Sequence, residues 1–251
     1  MTTASSTASN PRLALLAAAL LAIGLIAGGA FIGSGFTRFR TGDRVVTVKG
    51  VAEREAKADL AIWPLRLVVT DDDLGRANTA LERNVQQVRA FLKAQGFDSA
   101  GTEISVQDFR VEDARTMGGY TNTARYIIRQ TLVVRSPDVD RVQSASQNVP
   151  ELVRNGVVLS SGQEYGGGGP TFVFTKLNDL KPAMIAEATS RAREGAEQFA
   201  KDAQSSVSGI RSASQGVFEI LPRDQAMGIT EESQVVKRVR VVTTVVYGLG
   251  N

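Results

Sequence analysis

Cysteine and histidine are both absent from this 251-residue chain. The first absence removes disulfides, thiolate nucleophiles and Cys-ligated metals, though it does not fix the compartment. The second closes Ser-His-Asp and Cys-His catalysis, imidazole-bound zinc and any histidine pH switch. Carboxylate or lysine chemistry stays open, but no pattern in the chain asks for it. Catalytic, cofactor and metal residues are therefore assigned as none. A strong charge of one sign is also missing: 29 basic against 26 acidic residues leave a net charge of +3. That is too weak a field to point to a nucleic-acid partner. What remains is ordinary globular composition, 43% hydrophobic and 22% charged, so most of the chain is expected to fold.

The long apolar run lies at the start. Leu13 to Gly33 reads LALLAAALLAIGLIAGGAFIG with no charged residue, about the 20 residues a helix needs to cross a bilayer. Its leucines, isoleucines and phenylalanine each favour the bilayer centre by roughly 0.3 to 0.6 kcal/mol, and its alanines and glycines add little. The expected division is a tail over 1–12, a transmembrane signal anchor over 13–36, a basic linker over 37–44 and a folded body over 45–249. A cleaved signal peptide is the competing reading, because Ala27-Gly28-Gly29-Ala30 offers small residues for a peptidase. Either one delivers the body across a membrane. Within the run, Gly24 with Gly28 and Gly29 with Gly33 form G-x-x-x-G pairs, which allow close approach of two helices in lipid. Glycine is also simply common in membrane helices.

Periodicity organises the body. Val45–Val51 reads as a strand, and Glu55–Thr70 follows as a long β-compatible run interrupted by Pro64, which suggests an edge position or a bulge. Asp71-Asp72-Asp73 invites a cation, but its place before the stripe Leu74, Ala77, Leu81, Val85, Val88, Leu92 fits helix capping. Gly96 is placed to end that helix. Strands are expected over Glu103–Arg115 and Ala124–Arg135, a helix over Pro137–Arg154 weakened by Pro150, and a strand over Val157–Tyr165. That order is β-α-β-β-α-β, a ferredoxin-like split unit with helices on one face of an antiparallel sheet.

After Gly166–Gly169 a β-α-β-β unit is expected. Its strands lie at Thr171–Thr175, near Gln215–Leu221 and over Val235–Gly248. Its helix, Leu180 to about Gln204, has Pro182 in the first turn and an inner stripe of Met184, Ala188, Ala192, Ala196, Phe199, Ala200 and Ala203. The fold class is thus α+β, with one N-terminal transmembrane helix before it. The glycine run lacks the Lys-Ser/Thr of a phosphate loop. Glu112/Asp113 and Glu231/Glu232 are adjacent pairs that strand geometry would point apart. Lys237, Arg238 and Arg240 offer charge to an anionic partner but read first as guards of an edge strand, and Trp63 reads as core or as an interface anchor.

Several segments together resemble the SIMPL family. Val46-Thr47-Val48-Lys49-Gly50-Val51-Ala52-Glu53 is similar to its first strand. Ala58-Asp59-Leu60-Ala61 follows, with Ala58 where the family has proline. Gln130–Val134 with Val139–Val142, and Phe172–Phe174 with the alanine-rich segment from Ala186 to Ala196, complete the resemblance over Val45–Leu249. It implies an envelope protein of the inner membrane, held by its N-terminal helix, with the body in the periplasm. It also implies a homo-oligomeric scaffold or interaction module, with a role in envelope or oxidative stress tolerance and no catalytic residues to carry over. Binding of a small ligand between sheet and helices is the alternative, and an unrecognised hydrolase a third. The linker arginines, counted alone, would place the body in the cytoplasm; long domains cross largely regardless of such charge.

Overall fold

The computed structural model describes Leu15 and residues 19–32, 44–97, 102–117, 124–160 and 168–250. Residues 19–32 form helix α1. The elements that follow are β1 (Val45–Lys57), β2 (Leu60–Asp71), α2 (Leu74–Ala94), β3 (Glu103–Asp113), β4 (Tyr126–Ser136), α3 (Val139–Gln147), α4 (Pro150–Arg154), β5 (Thr171–Val173), α5 (Leu177–Asp202), β6 (Ser206–Gln215), β7 (Glu219–Pro222) and β8 (Val236–Gly250). This is an α+β chain with two sheets of order β3-β4-β2-β5 and β1-β8-β6, β7 also pairing with β8. By contacts it divides into two compact units. One comprises Gly50–Ser190 and Gln215–Thr243; the other comprises the described residues of Met1–Lys49 with Arg191–Ser214 and Thr244–Asn251.

In the larger unit, β2 reads LAIWPLRLVVTD, and its alternation is the physical basis of the layer. Ala61, Trp63, Leu65 and Leu67 are buried while the residues between them are half-exposed, as a strand with one covered face requires. Ala77, Leu81, Val88 and Leu92 of α2 bury into the same core, joined by Val139, Val142 and Ala145 of α3. Each large apolar side chain so buried contributes about 1.5–3 kcal/mol. Trp63 is 1% exposed and packs at a tilt on Phe97, ring centres 6.4 Å apart. It is core, not an interface anchor.

Two helix ends in this unit show why glycine stands there. Gly96, at φ 82°, lets the Phe97 N–H reach Leu92 O and its own N–H reach Lys93 O. Gly156, at φ 87°, repeats the pattern with Val157 on Leu152 and Gly156 on Val153. Both are left-handed termini that use up the last helical carbonyls. α5 closes in the same way, Ser205 N on Ala200 O and Gln204 N on Lys201 O, but with a glutamine at φ 51°.

Several boundaries differ from the sequence expectation. The long run over Glu55–Thr70 is two strands, because β1 continues to Lys57 and the chain turns at Ala58-Asp59 into the second sheet. Pro150 opens α4 at its first turn, splitting the expected single helix. Of the strand expected over Val157–Tyr165, a single bridge is described, Leu159 to Leu67. α5 starts three residues early, so Pro182 is inside it. β6 was not expected at all.

β2 lies between β4 and β5, but β5 reaches only Leu60–Ile62, so Pro64, opposite Val133 of β4, has no described strand on its other side and holds the local edge position expected. The reason it is tolerated is the direction of its nitrogen. Arg66 O accepts from Ser160 N and Val68 N donates to Val158 O, so even-numbered β2 residues direct their backbone groups away from β4. The missing proline N–H therefore costs the β2–β4 ladder nothing.

In the smaller unit, Ala192 and Ala196 of α5 are fully buried against Val48, Val245 and Tyr247. In the larger, Met184 and Ala188 pack on Ala52, Ala56, Val239 and Val241. Methyl side chains at four-residue spacing let the helix axis approach its strands closely. Phe199 breaks the expected stripe: it is 62% exposed, since three residues past Ala196 turns it away from that row.

Candidate functional site

Gly24, Gly28 and Gly29 lie on α1, and a Cβ built at any of them would meet nothing within 4 Å; Gly33 lies outside the described residues. Around them Leu20, Leu21, Ile23, Leu25, Ile26, Phe31 and Ile32 are 63–80% exposed. α1 thus presents apolar side chains and bare glycine backbone on its surface. Among the described residues no helix is long and apolar enough to cross a membrane; the expected span over 13–36 is described only at Leu15 and 19–32.

The aspartate triplet is spoken for by the protein. Asp73 caps α2, its Oδ1 accepting from Arg76 N at 2.9 Å. Asp71 takes the Arg76 guanidinium at 2.6 Å, and that bond, with the Asp73 N–H, holds its carboxyl below the usual range. Asp72 accepts from Arg125 N at 3.0 Å. Arg125 also binds Asp113 at 3.1 Å and lies over the Tyr126 ring. Partial burial pulls Asp113 upward most strongly, but the bonds from Arg125 and the Arg115 N–H leave it lowered. Capping is the role seen, and each carboxylate has a cationic or amide partner.

The other charged candidates are equally committed. Glu112 binds Arg129 while Asp113 binds Arg125, so the pair diverges. Glu231 and Glu232 sit on a 3-10 turn, not a strand. The Lys237 ammonium is fully buried and satisfied by Phe172 O at 2.7 Å, Glu231 Oε1 at 2.7 Å and Glu231 O. Edge protection is not its role, because β8 is an inner strand and Lys237 itself is paired with Pro222 of β7. Instead the lysine ties β8 to β5 across the two sheets. Gly168 and Gly169 of the glycine run lead through Pro170 into strand β5, so they offer no helix N-terminus to a phosphate.

Asp59, in the turn between the sheets, accepts from Thr175 N at 2.7 Å and Thr175 Oγ1 at 2.6 Å. Burial raises its pKa, but these bonds, its own backbone amide and Lys176 outweigh that and lower it. The Ala58 departure from the family's proline is buried, and Ala58 N donates to Val235 O, a bond proline would lose.

The structure adds a cleft of about 500 Å3 that sequence reasoning missed. Lys57, Asp140, Arg223, Asp224, Ser233 and Gln234 line it. Lys57 pairs with Asp140, Arg223 with Asp224 at 2.8 Å, and Gln234 clasps the Asp224 backbone by bonds of 3.1 and 3.0 Å. Cation and anion alternate around the rim, so the cleft has donors and acceptors but no net field. No spacing in the sequence announces it, since its walls come from four separate segments.

The family model SIMPL, described as a protein of unknown function (DUF541), matches residues 46–247. The chain belongs to the SIMPL family. The match runs from the second residue of β1 to Tyr247 in β8 and so covers the body of this SIMPL protein. Comparison with curated proteins found none that matches. Among solved structures, an amidase of the hydantoinase/carbamoylase family from Burkholderia phymatum aligns at 20% identity with a TM-score of 0.25. The alignment covers 59% of this chain and 36% of the amidase. Likeness that low carries no argument about the SIMPL chain.

Proposed function

We propose that this SIMPL protein is held at the inner membrane by its N-terminal helix and works in the periplasm as a self-assembling interaction module, in envelope stress tolerance. The observation that carries the tether is the surface of α1, where seven large apolar side chains are 63–80% exposed. Such a surface is stable in lipid and costly in water. The body is read as a ferredoxin-like split unit, for which the strand order β3-β4-β2-β5 is the support. Its ionic groups are engaged with one another, as fits a binding module better than a hydrolase.

A reporter fused after Asn251, active only in the periplasm, tests the placement. Activity in the membrane fraction is expected. A cytoplasmic signal, or a full-length product wholly in the soluble fraction, overturns it. Sedimentation of the full chain in detergent tests assembly: a monomer at every concentration removes the module reading. A second reading, small-ligand binding, is favoured by the charge-balanced cleft between Lys57 and Arg223. Thermal-shift screening of zwitterionic compounds tests it, and a shift abolished by Arg223→Ala supports it.

A further inference from the structure

Strands at the rim of a sheet expose unpaired backbone groups, and proteins guard them with charge, bulges, proline or brevity. β1 carries Lys49, Glu53, Arg54, Glu55 and Lys57 along its length. β3 carries five charged residues and a register break between Gln107 and Arg110. β5 has three residues, and β7 has four with a glutamate first and a proline last. β6 has little of this protection. It runs for ten residues as SVSGIRSASQ, with one charge and no proline. It pairs only with β8 among the described strands.

β6 is also poorly held by its own chain. Nine of its ten residues are exposed, Ile210 at 54%, so the strand is ordered with little burial in return. Steric provision has been made for its pairing to β8: a Cβ at Gly248 would collide with Ser208 Oγ, and one at Gly250 would crowd it against Ser206 Oγ at 3.1 Å. A strand laid down so carefully on one side and without a described partner on the other has a backbone ladder to offer.

We infer that the free edge of β6 pairs antiparallel with β6 of a second copy of this chain. The occupant follows from the matching requirement. The other rims of a second copy are charge-laden, bulged or far shorter than ten residues, so β6 itself is the one described edge of equal length and low charge. Pairing about Ile210 sets that residue opposite its own copy and Arg211 opposite Gly209, not opposite another arginine. Such a two-fold contact uses the same patch on both copies and closes as a dimer, without leaving an edge to polymerise. This inference rests on the reading of the chain as a self-assembling module and names the surface responsible.

The chain's lack of cysteine makes the test direct. Full-length protein carrying Ile210→Cys, on the two-fold, is oxidised in detergent and compared with Thr47→Cys on β1. Ile210→Cys is expected to form a disulfide dimer at least tenfold faster, because paired strands bring such positions within disulfide range. Adding Ser208→Lys and Ser212→Lys, both at exposed positions, is expected to lower that cross-linking at least tenfold. Circular dichroism checks that these variants keep the native spectrum. Equal cross-linking at positions 47 and 210, or no effect of the two lysines, overturns the inference. If wild-type chains still sediment as an assembly, the module reading survives without β6. If they sediment as monomers, both fall, and a β6 edge that captures only a foreign peptide likewise refutes self-pairing.

Discussion

The buried ammonium of Lys237, on β8, donates to the carbonyl of Phe172, on β5, at 2.7 Å, and so links two sheets through a charged bond. Its remaining donors go to Glu231, whose 3-10 turn is thereby fastened to the same strand. Lys237→Met keeps the volume and removes the donors, leaving two carbonyls and a carboxylate short of partners. Loss of about 2–3 kcal/mol is expected from hydrogen bonds made to a charged group. Urea unfolding measures it, and a change within about 0.5 kcal/mol would mean the bonds contribute nothing net.

Asp59 gives an acid dependence whose sign is fixed by its lowered pKa. A carboxyl depressed on folding contributes stability that is fully present above its unfolded value and is lost as pH falls through the folded one. The ordinary aspartate value is 3.8, so the loss is expected below that pH. Asp59→Asn should lower the urea midpoint at neutral pH and flatten its decline between pH 4 and the acid limit ~2. An unchanged acid slope in the variant would show that Thr175 is not what holds the carboxylate ionised.

The three left-handed helix ends predict opposite signs. Gly96→Ala is expected to cost about 1–2 kcal/mol, and its new methyl would also meet Arg141 Nη1 at 3.4 Å. Gln204→Gly should stabilise by up to about 1 kcal/mol, since it relieves a strained φ at a position of the same type. Thermal or urea midpoints of the two variants check both.

On α5, Ala192→Leu forces three extra carbons against Val48 and Tyr247 and is expected to cost about 1–3 kcal/mol. Phe199→Ser, seven residues on, should change stability by no more than about 0.5 kcal/mol. The reverse ranking would mean the helix is rotated from the orientation described.

A Cβ added at Gly24 or Gly28 would meet no described atom within 4 Å. If α1 associates in lipid through them, Gly28→Leu should lower dimerisation in a transmembrane reporter several-fold and leave the spectrum of the body unchanged. An undiminished signal removes that contact.

The elements legible in the sequence were those whose burial is periodic. α2 could be read because Leu81, Val88 and Leu92 recur at helical spacing and Asp73 and Gly96 mark its ends. β4 and β8 could be read from their branched residues. β6 could not, because a strand exposed on both faces has no reason to alternate, and SVSGIRSASQ looks like a loop. The break at Ala58-Asp59 was hidden for a different reason: both flanking strands are apolar on alternate positions, and only the change of sheet separates them. The role of Lys237 was hidden too, as a charge in a β-run reads as solvent-facing unless the carbonyls awaiting it are known. The charge-balanced cleft is a property of four segments meeting and has no local signature.

Pro64 has one more consequence. By offering no donor on the side of β2 away from β4, it interrupts that margin between Ile62, which pairs with Thr171, and Leu67, which bridges Leu159. Every rung of the β2–β4 ladder, from Ala61–Ser136 to Asp71–Tyr126, is meanwhile left in place, so the register of β2 in its sheet is carried by the side that the proline ring leaves untouched.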